Sequence, residues 1–371
     1  MFSLINSKGL KTTPLGASSS SSSFNDEGDS QQERIFLQMS GKPTILNRDF
    51  SMVMSIAISS NGGLAFSDLD GTLEIKGWHL KGHDSYVRIL DYLDEKTLIS
   101  GSDDSTIKIW DLHKRSCNKT LAGHTNGVFY LKGIKELLFS IDYDKSFKIW
   151  DLKTGICTKT IKLDNFDAVS NFLMIGDWMV YSASTTICKF NIVTGELFTL
   201  DFGKVLPIHK GSPEYMISCL ELIPKTSLIV SGSMDSRIDL WSLEPFTHVM
   251  RFNTGHTGHT DIVRCIKFFN STTIVSGSCD GTIKFWNITT GECLQTLINN
   301  DSVESLGVLP DGSIVSGCEH VKIWYPLMFI ESTSNDTRLC MTILMLKNLV
   351  VYHYLDSTTI IELFQMMCNE K

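Results

Sequence analysis

Residues 82–120 read GHDSYVRILDYLDEKTLISGSDDSTIKIWDLHKRSCNKT. The stretch opens on Gly82-His83, alternates through apolar Val87 and Ile89, and reaches Leu98-Ile99-Ser100-Gly101-Ser102. Two aspartates follow, and it closes on Thr106-Ile107-Lys108-Ile109-Trp110-Asp111. The plan returns at once with Gly123-His124, Ser140, Asp144 and Phe147-Lys148-Ile149-Trp150-Asp151. A third copy has Gly258-His259, Ser276-Gly277-Ser278, Asp280 and Ile283-Lys284-Phe285-Trp286-Asn287. His83 and Asp104 lie 21 residues apart, His124 and Asp144 20, and His259 and Asp280 21. Agreement in residue type and in spacing makes these copies of one unit, about 40 residues long.

A Gly-His opening and a Trp-Asp close at that period mark the four-stranded blades of a propeller. On these residues the chain resembles the WD-repeat (WD40) family. The resemblance implies an all-β fold over residues 34–371, a WD40-type β-propeller of four-stranded antiparallel blades. Weaker copies fill the remaining length. Met52–Lys76 reads as three strands joined at Asn61-Gly62-Gly63 and Asp70-Gly71, both hairpin signals. Only 5 residues separate Lys76 from Gly82, against 12 between Trp110 and Gly123, so this first unit is expected to lack a full outer strand. The fourth unit, Val169–Asn191, has no Gly-His and closes on Phe190-Asn191. The fifth keeps Ser231-Gly232-Ser233, Asp235 and Trp241 after an irregular Pro207–Pro213 segment. The seventh, Val303–Trp324, has Ser316-Gly317 and Trp324 but no turn aspartate, and Cys340–Phe364 has the strand pattern alone. The direct count is eight units, with seven blades as the alternative.

Residues 1–33 contain six consecutive serines, Ser18–Ser23, followed by Asn25-Asp26-Glu27-Gly28-Asp29-Ser30. Such a segment buries too little apolar surface to offset its ordering entropy, and it is expected to be a disordered tail. Its acidic residues beside serines also suit an acid-directed kinase. Within residues 34–50, Ile35–Leu37 and Thr44–Leu46 each have the makings of a short strand. One of them is the candidate to close the ring, by completing the blade of the other terminus.

The 371 residues are 42% apolar and 20% charged, ample for a packed core. A net charge of −8 and a pI near 5.7 argue against a nucleic-acid partner, whose phosphates call for a basic face. Ten cysteines without a CxxC pair offer no zinc or redox framework. Cys117, Cys157 and Cys293 recur at one place in their repeats, which is a packing position. Unpaired thiols suit a reducing compartment. No apolar signal core is visible in Met1–Leu10. Met341–Leu355, broken by Lys347 and Asn348, is too short to span a bilayer. These features predict a cytoplasmic or nuclear protein with no cofactor, no membrane insertion and no nucleic-acid partner.

Ser, His and Asp recurring together suggest hydrolase chemistry, but a nucleophile is needed once, beside an oxyanion hole. A set present three times is scaffolding. By the family resemblance, His83/Ser100/Asp104/Trp110, His124/Ser140/Asp144/Trp150 and His259/Ser276/Asp280/Trp286 form hydrogen-bond chains from Trp through Ser and His to the turn Asp. Buried donors need acceptors, and these residue types supply them in series.

The remaining candidates lie on the face carrying the loops that precede the inner strands. The position after the opening Val or Ile holds Arg88, Phe129, Ser170, Ser218, Arg264 and Glu304; the one before the turn Asp holds Asp103, Tyr143, Met234 and Cys279. Of these, Arg88, Asp103, Phe129, Tyr143, Met234, Arg264 and Glu304 are the candidate partner-binding residues. The repeats look like those of F-box/WD-repeat substrate receptors, which implies arginines gripping phosphorylated peptides, and a guanidinium fork matches phosphate. They also look like the repeats appended to alpha-type (myosin heavy-chain) kinases, yet no Gly-rich phosphate loop followed by a strand lysine accompanies them. Residues 1–50 show no F-box-like helical segment, and the W-D-x-R positions read Trp110-Asp111-Leu112-His113 and Trp150-Asp151-Leu152-Lys153. The leading expectation is a non-catalytic scaffold or adaptor for proteins or peptides within a multiprotein complex. The alternative is a ubiquitin-ligase substrate receptor that binds acidic or phosphorylated peptides through Arg88 and Arg264.

Overall fold

The computed structural model describes residues 34–46, 52–75, 77–163, 169–201, 216–252 and 257–331. The serine-rich tail, Lys76, Pro207–Pro213, His256 and Cys340–Phe364 lie outside them. The chain divides into a large unit, Pro43–Trp324, and a small one made of Met1–Lys42 and Tyr325–Lys371. All regular structure among the described residues is strand.

Seven four-stranded antiparallel sheets make up the large unit. Their inner strands are Val53–Ile58, Val87–Asp94, Val128–Ile134, Val169–Ile175, Ile217–Leu222, Val263–Asn270 and Ser305–Val308. Each inner strand neighbours the next, and the last neighbours the first, so the ring is closed. The count is therefore seven blades, and the eighth sequence group falls outside the described residues.

The seventh blade takes its outer strand from far upstream. Thr44–Ile45 pairs with Val321–Trp324, Thr44 opposite Ile323 and Ile45 opposite Lys322. The join to blade one is made by Ile56 N–H donating to Ser305 Oγ (3.1 Å) and Val53 N–H to the Cys318 carbonyl (2.8 Å). Blade one's outer strand is present but short, in keeping with the expectation that it lacks a full one. It is Trp78–Leu80, three residues reached through Gly77 at φ +78°, a left-handed turn that glycine adopts without strain.

Local sequence explains the layering. Second strands such as Thr97–Ser102 are packed on both faces and read as continuous apolar and small residues, buried from Leu98 onward. Third strands alternate, with Ile107 and Ile109 buried and Lys108 half-buried. The Ser-Gly-Ser glycines permit neighbouring blades to approach: a Cβ on Gly277 would stand 2.4 Å from Val303 Cγ1. Between blades the core is apolar; Ile107, Ile109, Leu121, Val128, Leu131 and Trp150 join blades two and three.

Among the described residues the small unit contains one antiparallel pair. Arg34–Met39 runs against Pro326–Glu331, with Arg34 opposite Glu331 and Met39 opposite Pro326.

Candidate functional site

In blade two, Trp110 Nε1–H donates to Ser100 Oγ (2.8 Å), the hydroxyl meets His83 Nε2 (2.7 Å), and His83 Nδ1 meets Asp104 Oδ2 (2.7 Å). Because Ser100 already accepts from tryptophan, its proton goes to Nε2, and the imidazole donates from Nδ1 to the carboxylate. Blade six repeats this through Trp286, Ser276, His259 and Asp280 at 2.7, 2.7 and 2.8 Å. Burial disfavours the charged imidazole of His259 and lowers its pKa, in keeping with the neutral ring this chain requires. Burial alone would raise Asp104 and Asp280. Hydrogen bonds from His83 and Thr106, and from His259 and Thr282, outweigh it and hold both carboxyls well below the usual range. Ser100, Ser140 and Ser276 are wholly buried, so no substrate reaches these hydroxyls.

Blade three corrects the sequence assignment. Trp150 and Ser140 pair at 2.8 Å and Ser140 and His124 at 2.6 Å, but His124 Nδ1 meets Asp142 Oδ2 at 2.7 Å, not Asp144. Asp142 stands where blade two has Ser102, on the strand end itself, and its other oxygen accepts the Ser146 N–H (2.8 Å). One carboxylate thereby braces both turn and imidazole. Asp144 turns outward, accepting from Thr125 Oγ1 (2.8 Å) and Asn126 Nδ2 (3.0 Å).

The weaker blades keep parts of this chain. Blade five retains Trp241 to Ser231 at 2.8 Å. Blade seven retains Trp324 to Ser316 at 3.0 Å, and Ser316 donates to Asn299 Oδ1 at 3.2 Å. Asn299 precedes its serine by 17 residues, as His83 and His259 precede theirs. It substitutes for the histidine, and that spacing was its signal. Blade four has Phe190 in the tryptophan position, so Ser182 makes only a long bond to the Asn171 carbonyl (3.5 Å).

The face residues also come together. The turn residue's N–H donates to the carbonyl just before its own inner strand in four blades: Asp103 to Tyr86, Tyr143 to Gly127, Met234 to Met216 and Cys279 to Ile262, at 2.8–3.1 Å. Turn and inner-strand positions therefore share one end of the channel. On blade two, Arg88 is pinned by Asp103, with Nε at 3.0 Å from both carboxylate oxygens and Nη2 at 2.6 Å from one. On blade six, Arg264 Nε lies 3.4 Å from Glu304 and donates to Cys279 Sγ at 3.2 Å. On blade three, Phe129 and Tyr143 pack with centroids 5.0 Å apart, and Tyr143 is 50% exposed. Tyr86, 44% exposed, lies against Arg88 with the guanidinium carbon 5.4 Å from its ring centre.

The channel behind this face has a volume of about 460 Å³. Two cross-blade pairs that sequence reasoning missed lie at it: Asp91 with Lys132 (2.9 Å), both lining the channel, and the lining Lys267 with Glu221 (3.5 Å). Glu221 raises Lys267 above the usual lysine range. Among the described residues, no three His, Cys, Asp or Glu side chains are grouped to hold a metal ion. No helix there is long and apolar enough to cross a membrane.

Closed blades and a repeated Trp-Ser-His-Asp chain define a seven-bladed β-propeller, a fold that generally acts as a non-catalytic interaction scaffold. More narrowly, the model of the WD domain, G-beta repeat, matches residues 76–111, 203–242 and 250–287, so the chain carries WD40 repeats. Its relatives are WD-repeat proteins. It is 26% identical over 244 residues to apoptotic protease-activating factor 1 of Homo sapiens, covering 62% of this chain and 15% of that one. It is 26% identical over 248 residues to WD repeat-containing protein pop2 of Schizosaccharomyces pombe, covering 65% and 26%. A shorter likeness, 44% over 50 residues, joins it to F-box/WD repeat-containing protein 7 of Drosophila melanogaster, covering 14% and 4%. The chain thus spans well under two thirds of each relative's length.

Proposed function

We propose that this propeller is an adaptor that seats apolar or aromatic segments of partner proteins on the channel face, anchored at blades two and three. The observation that carries this is the exposed aromatic group: Tyr143 on Phe129, with Tyr86 alongside Arg88. Large, stiff rings with open faces bind at low entropic cost and dominate interface energies. Met234 and the Arg264–Glu304 pair form the opposite rim. The thiols of the described cysteines are all unpaired, which supports a cytoplasmic or nuclear setting.

The second reading is a ubiquitin-ligase substrate receptor gripping phosphorylated peptides, and the short likeness to the F-box/WD protein favours it. The geometry of the arginines weighs against it. Each guanidinium is already engaged by a carboxylate, so an incoming phosphate must displace Asp103 or Glu304 and leave that charge repelling it.

The test is affinity capture with mass spectrometry from lysate, followed by titration of each captured partner. It compares wild type, a Phe129→Ala/Tyr143→Ala double variant and an Arg88→Glu/Arg264→Glu double variant. The aromatic variant is expected to weaken partner binding by about 30-fold or more, the effect of one hot-spot side chain. Loss in the arginine variant alone, with dependence on partner phosphorylation, would establish the receptor reading instead.

A further inference from the structure

Two successive blade junctions share one device, a lysine of the outer strand, and the next junction approximates it with Lys189 of a third strand. Lys119 of blade two sends its ammonium to the carbonyls of Leu152 (3.2 Å) and Lys153 (2.9 Å) in the loop after the third strand of blade three. Lys159 of blade three donates to the Ile192 carbonyl of blade four. Lys189 of blade four donates to the Leu243 carbonyl of blade five (3.5 Å). In each case the acceptor lies two residues beyond the blade's closing aromatic position: Trp150, Phe190 and Trp241. The junction of blades one and two breaks the series. Lys119 and Lys159 face Ile109 and Ile149 across their strand pairs, and the residue facing the matching Ile75 is Trp78. Blade one's outer strand ends there, and no lysine of that strand reaches Leu112 and His113, the matching acceptors. Among the described residues no hydrogen bond ends on either carbonyl.

A cleft of about 480 Å³ opens in that place, lined in part by Trp78, Tyr92, Glu95, Asp111, Leu112 and His113. Its Trp78 wall and its Glu95 carboxylate are held. Arg115, from the same blade-two loop, lies with its guanidinium carbon 3.3 Å from the Trp78 ring centre. Glu95 is held by Ser60 Oγ (3.1 Å) and Asn61 Nδ2 (2.8 Å), which fix the carboxylate across the blade boundary.

We propose that this cleft is a second docking site, independent of the channel face, which takes a lysine side chain from a partner protein. The inserted ammonium does what Lys119 and Lys159 do inside the molecule: it donates to the carbonyls after the third strand. Its methylenes run along Trp78 and Tyr92, and Glu95 supplies the opposing charge, Asp111 being already paired with Lys114 (3.2 Å). Lys96 also lines the cleft, so selectivity comes from the carbonyl seat more than from net charge. Arginine is the poorer occupant, because its planar fork does not reproduce the point-like ammonium of the internal lysines.

The probe is the pentapeptide Ac-Ala-Ala-Lys-Ala-Ala-NH2, titrated by calorimetry and nuclear magnetic resonance, beside the same peptide with Nε-acetyl-lysine or arginine. Saturable binding to wild type is expected, about tenfold or more weaker for acetyl-lysine, since an acetylated amine loses its charge-assisted bonds. The key variant is Trp78→Lys, which supplies the chain's own lysine to the seat. It is expected to abolish peptide binding while the fold, followed by circular dichroism, melts no lower than wild type. If Trp78→Lys does not fold, Glu95→Gln carries the test, with an expected loss of about threefold to tenfold. Equal binding of lysine and acetyl-lysine peptides overturns the proposal. So does arginine binding as tightly as lysine, indifference to both substitutions, or no saturation by about 10 mM, where even a millimolar site would be largely filled.

Discussion

Ser140→Ala and Ser182→Ala remove the same hydroxyl from the same strand position in adjacent blades, and both serines are wholly buried. In blade three the loss strands two groups: Trp150 Nε1–H, 2.8 Å from Ser140 Oγ, and His124 Nε2, 2.6 Å from it. Trp150 is 1% exposed and His124 8%, so water does not replace the serine. A buried polar group left unpaired costs about 1–3 kcal/mol, so two of them put Ser140→Ala at about 2–6 kcal/mol. In blade four, Phe190 offers no N–H and Ser182 has one bond, 3.5 Å long, to the Asn171 carbonyl. That change is worth about 0.5–1 kcal/mol. The assay is urea unfolding followed by circular dichroism, comparing midpoints at equal slopes. Ser140→Ala should shift the midpoint at least twice as far as Ser182→Ala. Equal shifts would mean that the tetrads add nothing beyond shape, and the reasoning would fail.

Two further expectations concern the carboxylates. Asp142→Asn should destabilise the fold by about 1–3 kcal/mol, as expected for losing a buried charge-assisted bond. Asp144→Asn, at an outward-facing turn, should change stability by less than about 0.5 kcal/mol, and a reversed order in urea midpoints would restore Asp144 to the tetrad. Asp104 and Asp280 have folded-state pKa values below the unfolded carboxylate value of about 3.9. Their stabilisation is therefore present above about pH 4 and is lost as pH falls beneath it, because the unfolded chain takes up the proton first. Thermal melts between about pH 5 and pH 2 should fall less steeply for Asp104→Asn than for wild type, and identical slopes would refute the linkage.

Much of the scaffold was legible because blade geometry imposes period and residue type together. The Gly-His opening, the Ser-Gly-Ser strand and the closing Trp are each demanded by burial, and they placed blades two, three and six. Reading failed where two residues compete for one role. Asp142 and Asp144 flank the same turn, and spacing alone favoured the second, whereas the carboxylate already inside the sheet reaches the imidazole. Asn299 is not legible as the histidine's substitute from residue type, although amide and imidazole both offer an acceptor to the serine proton. The candidate face was legible by position but not by charge. That Asp103 binds Arg88, and Glu304 accompanies Arg264, depends on which side chains converge after the ring has closed. Trp78 was invisible for a related reason: its meaning lies in a lysine that the outer strands of blades two and three carry at the matching position and that of blade one does not.

The strand Thr44–Ile45 sets a timetable. It completes a blade whose other three strands lie between Ser305 and Trp324, and Thr44 meets Ile323 across 279 positions of chain (323 minus 44). At about 5–20 residues per second, a ribosome needs roughly 15–55 s to deliver the second after the first. During that interval blades one to six assemble from local hairpins in order of synthesis, and the clasp waits with its backbone unpaired. Closure is thus the last and least local event in making the large unit, and a chain cut short anywhere before Trp324 forms an open arc and not a smaller ring.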